Sequence, residues 1–390
     1  MMKRTFLLAW RYVLYNRAKT AILVVCLTLT MLLPLTAHLL IEHYGRSLMA
    51  RARATPLVLG ARGNRFDLVL KTLYFGDARL APVHMAEVDA VRASGLGLPI
   101  PMHLRYTAGD QPVVGTTLDY FGFRGLTVQE GSLPLRLGQA ALGATAAADL
   151  GLGPGDRLFS DQRSLYDITR TYPLRMHVCG VLAPSGTPDD RAVFVDVKTA
   201  WIIDGIAHGH QDVASVRDDR VVLDREEGHV VTSEGIVEYN EVTEDNVGTF
   251  HVHAERDELP ISAILVLPAD RKSATLLRAR YNVSAVHRML VPEEVIEELM
   301  SLVFRIKRFF DANFALITAS TVLFLVLVTL LSHRLRRREM ETMFRIGASR
   351  MTAVRLQAAE LGIVLVISLA AAGAWSALAV LAAPQVVRWL

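Results

Sequence analysis

A chain of 390 residues that is 52% apolar and 21% charged is too polar for a membrane bundle throughout and too apolar for a soluble enzyme. Its formal net charge of +3 conceals an asymmetry: residues 1–20 carry five Lys/Arg and no acid, residues 333–360 carry seven Arg against three Glu, and residues 42–311 carry 29 Lys/Arg against 36 Asp/Glu. Basic parts beside apolar runs, with one acidic insertion between them, are a topology signal, and no nucleic-acid partner is expected.

Residues 3–18 place Phe6, Trp10, Val13 and Leu14 on one helical face, which predicts a cytoplasmic interfacial helix within 1–20. Residues 21–41 then run without Lys, Arg, Asp or Glu. At about 1.5 Å per residue they cross a hydrocarbon core of roughly 30 Å. A cleaved signal peptide is the rival reading, but the apolar run is too long and lacks an A-x-A site. A lipobox at Cys26 fails because Val25 is not a small residue. Pro34 predicts a kink. The charge bias puts the N-terminus in the cytoplasm, so residues 42–311 are extracytoplasmic, and 43–53 continue the helix outward as a stalk.

The insertion alternates helix and strand patterns. Phe66, Val69, Leu70 and Leu73 form a helical stripe, and a second helix covers 83–94. Strand-like runs follow at 100–106 and 112–118. A helix is expected within 137–158, stopped by Gly151 and Gly153 before a turn at Pro154–Gly155–Asp156. Strands are expected at 174–182 and 192–197, and a β-α-β unit from 261–267, 270–280 and 283–290. Residues 204–257, rich in Asp, Glu, Gly and His, read as a mobile insertion. Cys26 and Cys179 supply neither a disulfide framework nor a zinc spacing.

Pro292, Glu293 and Glu294 make a helix start. Val295, Leu299, Leu302, Ile306 and Phe309 then recur as an a/d seam, predicting a stalk that packs on another helix and enters a second span at 312–332. The basic stretch 333–360 follows, and a third span occupies 361–387. The expected fold is an α-helical membrane domain of three spans plus a large extracytoplasmic α+β domain on helical stalks.

Chemistry-bearing motifs are sparse. The dipeptide Gly-Lys never occurs, so no phosphate-cradling loop exists, and no catalytic residues or cofactor are expected in this chain. His208 and His210 form one H-x-H pair, and His251 and His253 another. In a strand such pairs share a face, which suits metal ligands. The ordinary reading is solvated histidines on an acidic surface, so no metal is assigned and these four stand as the weak candidates. His38, Asn313, Thr318, Ser320, Ser368 and Ser376 lie inside the spans, where such groups hydrogen-bond between helices.

Within the basic stretch, Met340, Met343 and Phe344 share a helical face and Gly347 interrupts the pattern. RREMETMFRIGASR resembles the loop after the second span in ABC transporter permeases of the MacB/FtsX/LolC type. Arg338, Glu339 and Met340 match the start of that loop; Ile346, Gly347, Ala348, Ser349 and Arg350 match its turn, and Glu360 the acid that opens the third span. The N-terminal helix with Trp10-Arg11 and Asn16-Arg17 agrees, as do DYFGFRGLTVQEGSLP, AALGATAAADLGLGPGD and RMHVCGVL within the outer domain. The likeness covers nearly the whole chain. It departs in having three spans where the family has four, and in residues 57–75.

The resemblance implies a dimeric permease of the mechanotransmission class in the bacterial inner membrane, with a MacB-like periplasmic core. A separate ATP-binding subunit would hold ATP and Mg and grip Glu339, Met340, Met343, Phe344, Gly347, Ala348, Ser349 and Arg350. ATP hydrolysis would move the periplasmic domain to export or extract a substrate. The expected partners are that ATPase, a second or homologous permease copy, a periplasmic membrane-fusion protein or lipoprotein, and the lipid bilayer. The alternative is an FtsX-like regulatory module controlling an extracytoplasmic partner.

Overall fold

The computed structural model describes residues 2–161, 173–210, 222–226, 229–232, 239–335, 341–342, 345 and 350–387. The chain divides into two units, one of Met1–Leu48 with Met300–Leu390 and one of Met49–Leu299.

The first unit is helical. After a short helix Met2–Tyr15 come the long helices Arg17–Arg53, Pro292–Leu335 and Arg350–Val387. Among the described residues, three helices are long and apolar enough to cross a membrane: Arg17–Arg53, Pro292–Leu331 and Val354–Ala383. The first continues through Pro34 without interruption. Ala9 and Val13 of the short helix are buried with Ile363, whereas Phe6, Trp10 and Leu14 of the expected lipid-facing stripe remain exposed. Leu23, Leu27 and Val364 form a second cluster, packed by Leu325 and Val328.

Hydroxyls join these helices. Thr36 Oγ1 donates to Ser376 Oγ at 2.9 Å, Ser368 Oγ bonds the Val24 carbonyl at 3.3 Å, and Thr30 and Thr321 meet at 3.3 Å. Asn313 and Thr318 differ from expectation, because each donates to a carbonyl four residues back in its own helix. The a/d seam also differs. Val295, Ile296 and Met300 are buried, but Leu302, Ile306 and Phe309 are more than half exposed, so the seam is packed only near its start.

The second unit holds two main sheets. The smaller has the order His287–Leu290, Leu57–Ala61, Ala263–Pro268, Gly97–Met102. Leu57–Ala61 runs antiparallel to both neighbours, so the expected β-α-β unit is split: its two strands are parallel, joined by the helix Arg271–Asn282, with the first strand between them. Asp270 caps that helix by accepting from the Ser273 amide at 2.7 Å.

The larger sheet has the order Thr107–Ala108, Gln111–Thr116, Val193–Asp196, Gln139–Leu142, Arg175–Leu182, Val128–Gly131, and Arg157–Phe159 also pairs with Arg175–Leu182. Arg175–Leu182 buries Met176, Val178, Gly180 and Leu182 in alternation, as a half-buried strand requires.

One expectation is corrected here. The alanine-rich run expected as a helix within 137–158 begins as the strand Gln139–Leu142, and only Ala144–Leu150 is helical. Strand pairing on both sides, with Ala140, Ala141 and Leu142 fully buried, overrides alanine's helix preference. Gly143 makes the corner: a Cβ there would stand 2.2 Å from the Asp189 carbonyl oxygen. The helix then stops at Gly151, which takes φ 66. The run expected as a strand over 100–106 also ends earlier, at Met102.

The end of the Arg17–Arg53 helix enters this unit through a buried polar network. Arg51 Nη1 donates to Asp189 Oδ2 at 2.6 Å and Nη2 to Oδ1 at 2.9 Å. Tyr120 Oη donates to Asp189 Oδ1 at 2.6 Å and accepts from Arg51 Nη2 at 3.0 Å. Thr187 Oγ1 donates to Asp189 Oδ2 at 2.9 Å, and Arg51 Nε donates to the Leu73 carbonyl. Burial alone would lower the Arg51 pKa and raise that of Asp189. Tyr120 and the paired hydrogen bonds reverse both, leaving Arg51 above and Asp189 below their ordinary values.

Removing one partner strands a buried charge, which costs about 3–5 kcal/mol. Arg51→Met is therefore expected to lower the unfolding free energy by that amount, followed by Trp201 fluorescence in a background with Trp10, Trp375 and Trp389 replaced by Phe, and Arg51→Met with Asp189→Leu to recover most of it. The Asp189 contribution is present above its unfolded pKa of about 3.9 and is lost as pH falls through the depressed folded value. Asp189→Asn should thus destabilise at neutral pH and flatten the acid limb of the stability curve.

Candidate functional site

Two groups of residues were singled out by the sequence. Of the first, Glu339, Met340, Met343, Phe344, Gly347, Ala348 and Ser349 lie outside the described residues, and Arg350 is the first residue of the helix Arg350–Val387. Glu341, Thr342 and Arg345 are helical.

The second group is brought together. Ala207–Gly209 pairs antiparallel with Phe250–Val252 in the register Ala207↔Val252, His208↔His251, Gly209↔Phe250. This ladder joins the two ends of the region read as a mobile insertion. Alternation along each strand sends Ala207 and Phe250 against the core of the domain. His208 and His251, which face each other across the ladder, share its other side with His210 and His253. The ring centroids of His208 and His251 are 4.9 Å apart, those of His251 and His253 4.8 Å, and those of His210 and His251 5.0 Å.

The ladder is held from several directions. Gly209 has no room for a side chain, since a Cβ would meet the Phe250 ring at 2.7 Å. The Tyr239 amide donates to the Gly209 carbonyl at 2.8 Å. Upstream, the helix Val197–Ile203 ends at Asp204, which accepts from Arg105 Nη1 at 2.9 Å and from the Tyr106 hydroxyl. Burial would raise the Asp204 carboxyl, but His103, Tyr106 and Arg105 hold it below the ordinary value. Trp201 Nε1 donates to the Pro260 carbonyl at 2.8 Å. Downstream, Asn246 Nδ2 donates to the Glu241 carbonyl at 2.9 Å, and Glu241 forms ion pairs with Arg157 and Arg175.

The histidine donors converge. One ligand atom from each of His208, His210 and His251 lies within 4.8 Å of the others. Nε2 of His253 stands 3.3 Å from Nε2 of His208. His251 Nδ1 lies 2.8 Å from the Thr249 carbonyl, and as the N–H tautomer it donates there, leaving Nε2 with its lone pair. His251 also borders an apolar cleft of about 500 Å³ walled by Met85, Val88, Trp201 and Phe250, with Lys198 and Arg256 in its lining.

No protein-family profile matches the chain, and no curated protein matches it. Among solved structures it is similar to the periplasmic region of MacB from Actinobacillus actinomycetemcomitans, with 10% identity over 65% of this chain and 97% of that one and a TM-score of 0.36. It is also similar to the extracellular domain of the noncanonic ABC-type transporter YknZ from Gram-positive bacteria, with 10% identity over 60% of this chain and 98% of that one and a TM-score of 0.33. At that identity and those scores the likeness assigns no function.

Placing a methyl group at Gly209 forces the Phe250 ring to shift, and overpacking of this kind costs about 1–3 kcal/mol. Gly209→Ala should open the ladder locally, seen as faster hydrogen exchange of the 207–209 amides with little change in the strands of the smaller sheet.

Proposed function

We propose that the chain is the permease subunit of an ABC transporter, embedded in the bacterial inner membrane and driven by a separate ATPase. Its external α/β unit would move as the ATPase turns over, exporting or extracting a substrate on the outer side. The observation that carries this reading is the place of the segment RREMETMFRIGASR. It lies between Pro292–Leu335 and Arg350–Val387, two helices each apolar enough to span a bilayer. A segment so bounded is confined to one membrane surface, and its arginines favour the cytoplasmic one. Its Met340, Met343 and Phe344 then offer an apolar handle, with basic residues around it for an acidic partner surface or lipid phosphate.

The Thr36–Ser376, Thr28–Ser368 and Thr30–Thr321 contacts join the long helices to one another. The regulatory reading, in which the same movement controls an external partner, requires the same ATPase and the same handle.

Copurification from detergent tests the handle. The wild-type chain should bring down an ABC-type ATPase subunit. Glu339→Ala with Phe344→Asp should abolish that capture while Arg62→Ala, in the external unit, preserves it. Equal capture by all three chains would refute the docking assignment.

A further inference from the structure

We propose that His208, His210, His251 and His253 form a binding site for a divalent transition metal of the Zn²⁺ class on the α/β unit. The site is independent of the permease reading.

Three features of the cluster point to a metal. The first is spacing. A tetrahedral ion with metal–nitrogen bonds of about 2.0–2.1 Å holds its donor atoms roughly 3.3 Å apart. The His208 and His253 Nε2 atoms already stand at 3.3 Å. The donors of His208, His210 and His251 lie within 4.8 Å of one another, close to that spacing.

The second feature is orientation from outside the cluster. The 2.8 Å contact between His251 Nδ1 and the Thr249 carbonyl fixes the ring and the tautomer, presenting Nε2 as the donor. Ligating histidines are commonly held in this way by a carbonyl or carboxylate on the other nitrogen.

The third is a rigid base. His208 and His251 are register partners, and their strands are pinned by Ala207 and Phe250 in the core and by the tight approach of Phe250 to Gly209. The backbone that carries His208 and His251 is therefore ordered before binding, which lowers a main cost of association.

The donor set also selects the ion. The cluster is made of imidazole nitrogens, which suit Zn²⁺, Cu²⁺ and Ni²⁺, whereas Ca²⁺ and Mg²⁺ require oxygen ligands. His208, His210 and His251 are half-buried and His253 is exposed, so the ion would exchange with the surrounding medium. Two H-x-H pairs separated by some forty residues of sequence become one site only because the strands meet in this register.

The test uses the full chain in detergent, stripped with a chelator and titrated with Zn²⁺ by calorimetry, together with Co²⁺ absorption spectroscopy. One saturable Zn²⁺ per chain is expected, with Co²⁺ giving the intense visible bands of a tetrahedral nitrogen-ligated ion. His208→Ala with His251→Ala should weaken Zn²⁺ binding by at least ~100-fold, and the exposed His84→Gln should leave it unchanged. The Co²⁺ spectrum of the wild-type chain stands whether or not the double variant folds. Absence of saturable Zn²⁺ binding, an octahedral Co²⁺ spectrum, or a folded double variant that binds as wild type would each overturn the proposal.

Discussion

The Arg51–Asp189 pair is the constraint on which the α/β unit depends. Arg51 belongs to the last turn of the Arg17–Arg53 helix, and its guanidinium and the Asp189 carboxylate are both almost wholly buried. A planar fork meeting a carboxylate through two bonds is satisfied in one orientation only. Tyr120, Thr187 and the Leu73 carbonyl take up further valences, which is what lets both charges stay ionised away from water. The helix end is thereby fixed in rotation as well as in position. Phe75 closes the neighbouring helix Arg65–Tyr74 at φ 58, an unusual conformation for a bulky residue, and its ring lies 5.7 Å from Arg51 Cζ.

The start of the second long helix is tied to the same unit by exposed pairs. Arg53 reaches Glu293 at 2.9 Å, Arg278 reaches Glu294 at 3.0 Å, and Arg65 bonds Glu298. Exposed pairs of this kind are worth at most about 1 kcal/mol each. The two helix ends therefore differ in chemistry: a buried ion pair fixes the first, while the second combines exposed pairs with the buried Val295 and Ile296.

The long helices were legible because an uncharged run of 21 residues beside a basic flank is longer than a signal peptide's apolar core and long enough to cross a bilayer. The strands of Arg175–Leu182 and Ala263–Pro268 were legible from alternation and β-branched content. Gln139–Leu142 was not, because alanine favours a helix locally and only the two flanking strands make it a strand. Arg51 looked like one more charge after a span; its partner lies 138 residues away, and nothing local marks Asp189. The histidines were visible as two pairs, yet their convergence depends on the pairing of residues 207–209 with 250–252, which no spacing rule supplies. The basic segment spoke through its resemblance rather than its composition, since charge alone makes it only a cytoplasmic loop.

Cell-surface labelling tests most directly whether the α/β unit and the basic segment lie on opposite sides of a membrane. In a background with Cys26→Ala and Cys179→Ala, single cysteines are introduced as His84→Cys in the α/β unit and Glu341→Cys in the basic segment, both at exposed positions. A membrane-impermeant maleimide applied to cells with a permeable outer envelope should modify the cysteine at 84, and should reach that at 341 only after the inner membrane is broken. Modification of both from outside, or of neither before lysis, would contradict the proposed topology and the coupling role built on it.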